Sequence, residues 1–288
     1  MTKLTRLGFH YSSTTYEGWS STSLRASVLD VARAAEASGF DSLWVPDHAH
    51  QNPIGGGPSM PMLEAYSFLA ALAVATTTVR LGALVSPVTF RHPALLAKTV
   101  ATLDVLSGGR AVLGIGAAWD ATEHAAYGID FPPLAERYER LEETLQICAA
   151  LLGPEPATFT GGRHALKDAW SSPPPVQAHV PVLVGGGGER RTLSLVARYA
   201  DACNFFGEPT DIAPKLAALR AHCERVGRDP EEITTTVGLI AAGDPGEVRR
   251  LVETRLEAGI DGVILFGGSA PSARQVAAWG AALAGVLA

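Results

Sequence analysis

Short apolar runs bounded by Gly, Pro or polar breaks alternate along the chain with longer stretches whose apolar residues recur at helical spacing. The runs predict strands over Leu7–His10, Ser42–Pro46, Arg80–Ser86, Ala111–Gly116, Val180–Gly185, Ala202–Phe205, Thr234–Leu239 and Gly262–Phe266. The stretches between them predict helices over Leu24–Ala37, Met62–Ala75, Pro93–Leu106, Leu134–Leu152, Arg190–Tyr199, Ile212–Val226, Pro245–Ala258 and Ser272–Leu287. Gly39 and Gly259 stand where the first and seventh helices should stop. Eight strand–helix units predict an α/β fold: a single (β/α)₈ TIM barrel spanning residues 1–288, with insertions after strands two and four. An open doubly wound sheet is the other architecture that alternation admits, but no dinucleotide fingerprint opens the first helix. The two breaks in the rhythm are the Gly/Pro loop at 49–61 and the segment 153–179, with a hairpin-like piece at Thr158–Leu166 and the run Pro173–Pro175. Both are expected to be functional or lid-like.

Composition narrows the class. With 47% hydrophobic and 18% charged residues among 288, the chain can bury a sizeable core. A net charge of −6 and the lack of a basic run argue against a nucleic-acid partner. The start MTKLTRLGFHYSS has no signal-peptide core and no segment reaches the ~20 apolar residues of a membrane span, so a cytoplasmic protein is expected. Cys148, Cys203 and Cys223 are an odd number at wide spacing and read as core filler.

In a parallel barrel the strand C-termini build the active site. They offer His10 after strand one, Asp47, His48 and His50 after strand two, and Ser86 to Arg91 after strand three. Strand four is followed by Gly116 to Asp120, strand five by Gly185–Gly188, strand six by Asn204 to Glu208, and strand eight by Gly267 and Gly268. The His48–Ala49–His50 pattern could bind a divalent metal, but the ends of strands four, five and eight offer no completing ligand, so no metal is expected. The blander reading makes His48 an imidazole oriented by Asp47 and His50 a solvated loop residue. Four glycines, Gly185–Gly188, before a helix suit an anion, because bare amides and the helix dipole face it without a Cβ in the way. Gly114 and Gly116 read as tight strand packing. ATPase, serine-hydrolase and zincin motifs are missing.

Six blocks in order carry a resemblance to a known family: ARAAEASGFDSLWVPDH at 32–48, PMLEAYSFLAALA at 61–73, VRLGALVSPVTFRHPALLAK at 79–98, TLDVLSGGRAVLGIGAAWDATEHAAYG at 102–128, PPLAERYERLEETL at 132–145 and GGGGERRTLSLVARYADACN at 185–204. The chain resembles the luciferase-like monooxygenase superfamily, in particular its branch of F420-dependent oxidoreductases. The resemblance implies a barrel with a deazaflavin or flavin ring across the strand ends. It implies Asp47 and His48 beside that ring, with His48 as proton donor or polar clamp, Asp47 setting its tautomer and His10 reaching the substrate. Leu84, Val85 and Ser86 match a bulged strand end where relatives hold a non-prolyl cis peptide. Gly116 and Ala117 match a ring contact, Glu123 and Tyr127 the following helix, and Gly186, Gly187, Gly188 and Glu189 the phosphate loop. Ala118 stands where many relatives have Gly. Pro87 alters the family's run. Residues that bind a sugar phosphate in sugar-oxidising relatives have no counterparts on strands seven and eight. The implied activity is hydride transfer between F420 and a small organic substrate, with a homodimer as an expected assembly. The alternatives are an FMN-dependent monooxygenase fed by a separate reductase and a non-catalytic cofactor-binding protein. Substrate choice is expected in the loops at 11–23, 49–61 and 153–179.

Overall fold

The structure, a computed structural model, describes residues 3–12, 19–268 and 270–286. The expected substrate loop at 11–23 therefore lies partly outside the described residues, as does the expected helix end at Leu287.

Eight parallel strands close on themselves: β1 (Leu7–His10), β2 (Ser42–Val45), β3 (Arg80–Ala83), β5 (Ala111–Gly116), β8 (Val182–Gly185), β9 (Ala202–Phe205), β10 (Thr234–Ala241) and β11 (Gly262–Gly267). Closure runs through β1 pairing with both β2 and β11, and β3 pairing with β5. The chain is a (β/α)₈ TIM barrel. Around it stand α1 (Ser21–Ala37), α2 (Ala65–Ala75), α3 (Pro93–Ser107), α5 (Leu134–Leu151), α6 (Thr192–Tyr199), α7 (Pro209–Val226), α8 (Pro245–Leu256) and α9 (Ala273–Leu283). The main apolar core lies between strands and helices, with Val237 and Leu239 on the outward side of β10. The barrel interior is a second cluster of Leu4, Trp44, Val112, Leu183, Ala202 and Ile264. Trp44 takes the room that small residues leave. A Cβ on Gly8 or Gly82 would come within 2.8 Å of its indole.

The expected third strand breaks after Ala83. Its continuation is the two-residue β4 (Ser86–Pro87), reached through a cis peptide at Leu84–Val85. Gly82 pairs with Val112 and Ser86 with Ile115, so one side has an extra residue and the strand end is bulged. Gly114 is required there, because a Cβ would sit 1.8 Å from the Ala83 carbonyl oxygen. Helix boundaries shift where a cap decides them. The Glu64 carboxylate accepts from the amides of Tyr66 and Ser67 and starts α2 at Ala65, not Met62.

A short α4 (Ala121–Tyr127), capped by Asp120, follows β5 on the mouth side. Segment 153–179 behaves differently from expectation. It joins the end of α5 to the start of β8, so it leaves from the end of the barrel opposite the mouth. Its hairpin, β6 (Ala157–Thr160) and β7 (Ala165–Ala169), packs along α5. Arg163 pairs with Glu136 and Glu139, and His164 with Glu143. It braces the outer flank, and its tip reaches the first turns of α5 and His92, the N-cap of α3.

Candidate active site

His48 and Glu123 meet at the mouth. The imidazole Nδ1 lies 2.8 Å from Glu123 Oε2, and among the described residues Nε2 has no partner. Glu123 is buried, and its other oxygen accepts from the amides of Ala49 and His50. Burial pushes the Glu123 pKa up, but the His48 hydrogen bond and charge and the two amides outweigh it and hold the carboxyl below its ordinary range. An ionised Glu123 keeps the His48 proton on Nδ1, so a neutral His48 offers Nε2 as acceptor.

Asp47 does not orient His48. Its carboxylate is buried, accepting from Ser86 Oγ at 2.7 Å and from both terminal nitrogens of Arg91 at 2.5 and 3.0 Å. Ser86 in turn bonds Tyr66 Oη at 2.9 Å, and Arg91 also reaches Glu64 and lies 4.9 Å over the Tyr66 ring. Just past β2, successive side chains diverge, and Asp47 falls into this buried network while His48 turns to α4. The Ser86 hydroxyl is likewise spent below the mouth. Tyr127 donates to the Ala49 carbonyl at 3.1 Å and so pins the 48–50 loop. His50 is buried against Gln51 O and the Tyr127 ring.

His10 is buried, stacked on Phe266 at 4.1 Å, with Nδ1 at 3.1 Å from Ser12 Oγ and, among the described residues, Nε2 without a hydrogen-bond partner. Burial and the neighbouring His48, partly offset by the Leu84 backbone, push its pKa down to about 3, so it is neutral at ordinary pH. Between β2, the bulge and α4 lies a cavity of about 60 Å³ lined by His48, Leu84, Val85, Ala118, Trp119 and Glu123, among others. Val85 covers Gly116 and Gly185, where a Cβ would lie 2.6 and 2.8 Å from its methyls. Ala117 and Ala118, the latter at φ 64°, offer their carbonyls to Arg137. Trp119 was not singled out by the sequence; it is 62% exposed and meets His48 edge-on at 5.5 Å. His48, Asp120 and Glu123 bring ligand-type atoms within 4.8 Å of one another. Their donors are largely used: Glu123 as described, and Asp120 Oδ1 on the amides of Thr122 and Glu123.

Across the mouth, the glycine loop precedes α6, whose N-cap Arg191 supplies no capping side chain. Gly186 is at φ 108° and donates to Asn204 O. A Cβ on Gly187 would stand 2.6 Å from Lys215 Cε, and one on Gly188 2.8 Å from Thr192 Oγ1. Tyr138 and Thr192 join their hydroxyls at 2.7 Å beside the loop. Glu189 is exposed, and its carbonyl accepts from His222.

The model of the luciferase-like monooxygenase family matches residues 8–284 of this architecture. The chain belongs to that family. It is 32% identical over 270 residues to an uncharacterized protein of Mycobacterium tuberculosis, covering 89% of this chain and 92% of the relative. It is 35% identical over 235 residues to an F420-dependent glucose-6-phosphate dehydrogenase of Kineococcus radiotolerans, covering 79% and 67%. Its fold is similar to that of an F420-dependent secondary alcohol dehydrogenase solved with an F420–acetone adduct, with a TM-score of 0.80, 20% identity and 97% and 98% coverage. As a family member the chain is an oxidoreductase of the flavin or deazaflavin type. Among its described residues no helix is long and apolar enough to cross a membrane.

Proposed function

We propose that this family member binds F420 across the strand ends and transfers hydride between it and a small organic molecule, with His48 and Glu123 handling the proton. The observation that carries the reading is the buried Glu123 carboxylate on His48 Nδ1, which leaves a directed Nε2 at the cavity wall. An acid–base relay of this kind serves a hydroxyl or carbonyl whose proton moves with the hydride. The residues present fit the coenzyme. The bulge at Leu84–Val85, with Gly116 and Ala117 beside it, is a side-chain-poor floor, and among the described residues His10 Nε2 is a buried nitrogen without a hydrogen-bond partner, of the kind a ring polar group satisfies. The uncapped α6 N-terminus, the backbone of Gly186 to Glu189 and the Thr192 hydroxyl suit a phosphate. Bound there, F420 supplies the hydride acceptor or donor. Holding neutral His10 and ionised Glu123 in place, the protein leaves His48 as the group that exchanges the proton.

Two measurements test the reading. Fluorescence titration of the purified protein should give a Kd for F420 at least tenfold below that for FMN, ~1.4 kcal/mol of preference. FMN binding as tightly or more tightly would instead favour an FMN monooxygenase working with a separate reductase. Gly187→Asp places a carboxylate in the anion turn, at a position whose φ is not left-handed and whose nearest neighbour is the flexible end of Lys215. The variant should melt like the parent, with Lys215 able to pair with the new acid, yet lose about tenfold or more in F420 affinity. Unchanged affinity in the folded variant removes the phosphate assignment.

A further inference from the structure

The connections that leave the eight strand ends at the mouth carry Lys or Arg at three positions, Arg91, Arg190 and Arg191, read across all eight loops of the sequence. Arg91 is taken up by Asp47 and Glu64. Arg190 and Arg191 flank the glycine loop, on the side suited to the coenzyme phosphate. Arg137 points its guanidinium at the carbonyls of Ala117, Ala118 and Pro132. His10 adds no positive charge, because it is buried and neutral. Lys215 of α7 reaches the glycine loop too, on that same phosphate side. Among the described residues of the reacting side, an anionic substrate would thus have to give up its hydration with no free cation to receive it, which is costly.

What the mouth does offer is apolar surface. The barrel register sets His10, Phe266 and Ile240 in one layer at the top of β1, β11 and β10. Phe266 joins the interior cluster, and Gly238, two residues before Ile240, would direct a Cβ onto Phe206 and Phe266, so this side of β10 faces inward. Phe206 and Ile240 are 56% and 64% exposed there, and the Phe206 and Phe266 rings meet edge to face at 5.2 Å. Trp119 stands exposed beside His48. Inward-facing, solvent-exposed aromatic and aliphatic side chains next to a polar dyad form the usual lining of a small-molecule site.

We propose that the substrate is an electrically neutral molecule with an aryl or alkyl body, seated on Phe206, Ile240 and Phe266 and presenting one hydroxyl or carbonyl to His48, and not a phosphorylated sugar or a carboxylate. The proposal rests on the hydride-transfer reading above. In the oxidative direction the carbinol C–H bond breaks and its hydride passes to the deazaflavin, while the hydroxyl proton goes to His48 Nε2 and the C–O bond becomes a carbonyl. In the reductive direction the same hydride and proton return.

The test is a calorimetric titration of the protein, alone and loaded with F420, using 4-phenyl-2-butanone as the neutral probe and phenyl phosphate and glucose 6-phosphate as anionic ones. The neutral probe should bind at least tenfold tighter than either anion. Phe206→Ala should weaken it several-fold, and Ile240→Arg should weaken it and tighten phenyl phosphate; thermal melts check that both exposed-site variants are folded. Anion binding equal to or tighter than the neutral probe overturns the proposal, as does neutral binding that neither variant moves. Failure of F420 to bind overturns the coenzyme reading instead, and the titrations on the protein alone then still decide the substrate class by the same criteria.

Discussion

Replacing His48 with Ala is expected to lower kcat by roughly 10²–10⁴-fold, the range for loss of a general acid–base group, with F420 affinity nearly unchanged. The imidazole is part-exposed and its one hydrogen bond among the described residues is to Glu123, so removing it costs the fold little and the proton transfer much. Glu123→Gln should act through His48. The amide can still accept from the Ala49 and His50 amides, but it no longer stabilises an imidazolium, and about 10–10²-fold in kcat should go with the carboxylate's charge. Because the two residues work as a unit, the double variant should lose little more than His48→Ala alone. Single-turnover oxidation or reduction of bound F420 reads the chemical step directly. A folded His48→Ala protein that reacts at the parental rate would end the dyad's role.

The second large effect lies beneath the mouth. Arg91→Met leaves the buried Asp47 carboxylate with the Ser86 hydroxyl as its remaining side-chain partner, and an unpaired buried charge costs about 3–5 kcal/mol. At about 2 °C per kcal/mol for a chain of 288 residues, the melting temperature should fall by about 6–10 °C. Asp47→Asn combined with Arg91→Met removes both charges and should recover much of the loss, which distinguishes an electrostatic cause from lost packing of the Arg91 stem on Tyr66. A drop of under ~1 kcal/mol in Arg91→Met would mean that the pair behaves as a solvated surface bridge.

The strands were legible because parallel strands buried on both faces read as apolar runs, and their starts agree with the structure at most positions. Arg80–Ser86 reads as one run because a bulge leaves no mark in hydrophobicity, although Gly114 opposite it was a clue: a strand glycine signals close approach of another backbone. Segment 153–179 reads as a mouth loop from its Gly and Pro content, whereas the order of elements places both its ends elsewhere. It follows a helix and precedes a strand, and such connections lie at the end of the barrel away from the mouth. Trp119 carried no periodic signal; its exposure beside His48 depends on the turn at Ala118.

By itself the sequence determined the alternation of strands and helices, the family, and which residues stand at strand ends, since each follows from local periodicity or from matching blocks. Tertiary structure alone decided partnership. Asp47 and His48 are neighbours in the chain, yet one ends in a buried pair with Arg91 from another loop and the other on Glu123 from α4, 75 residues away. The same holds for the mouth, where Phe206, Ile240 and Phe266 become one surface through the register of three strands. Side-chain direction and long-range register are properties of the closed barrel, because a residue's facing depends on which strands pair and in what alignment, and no local window of sequence contains that information.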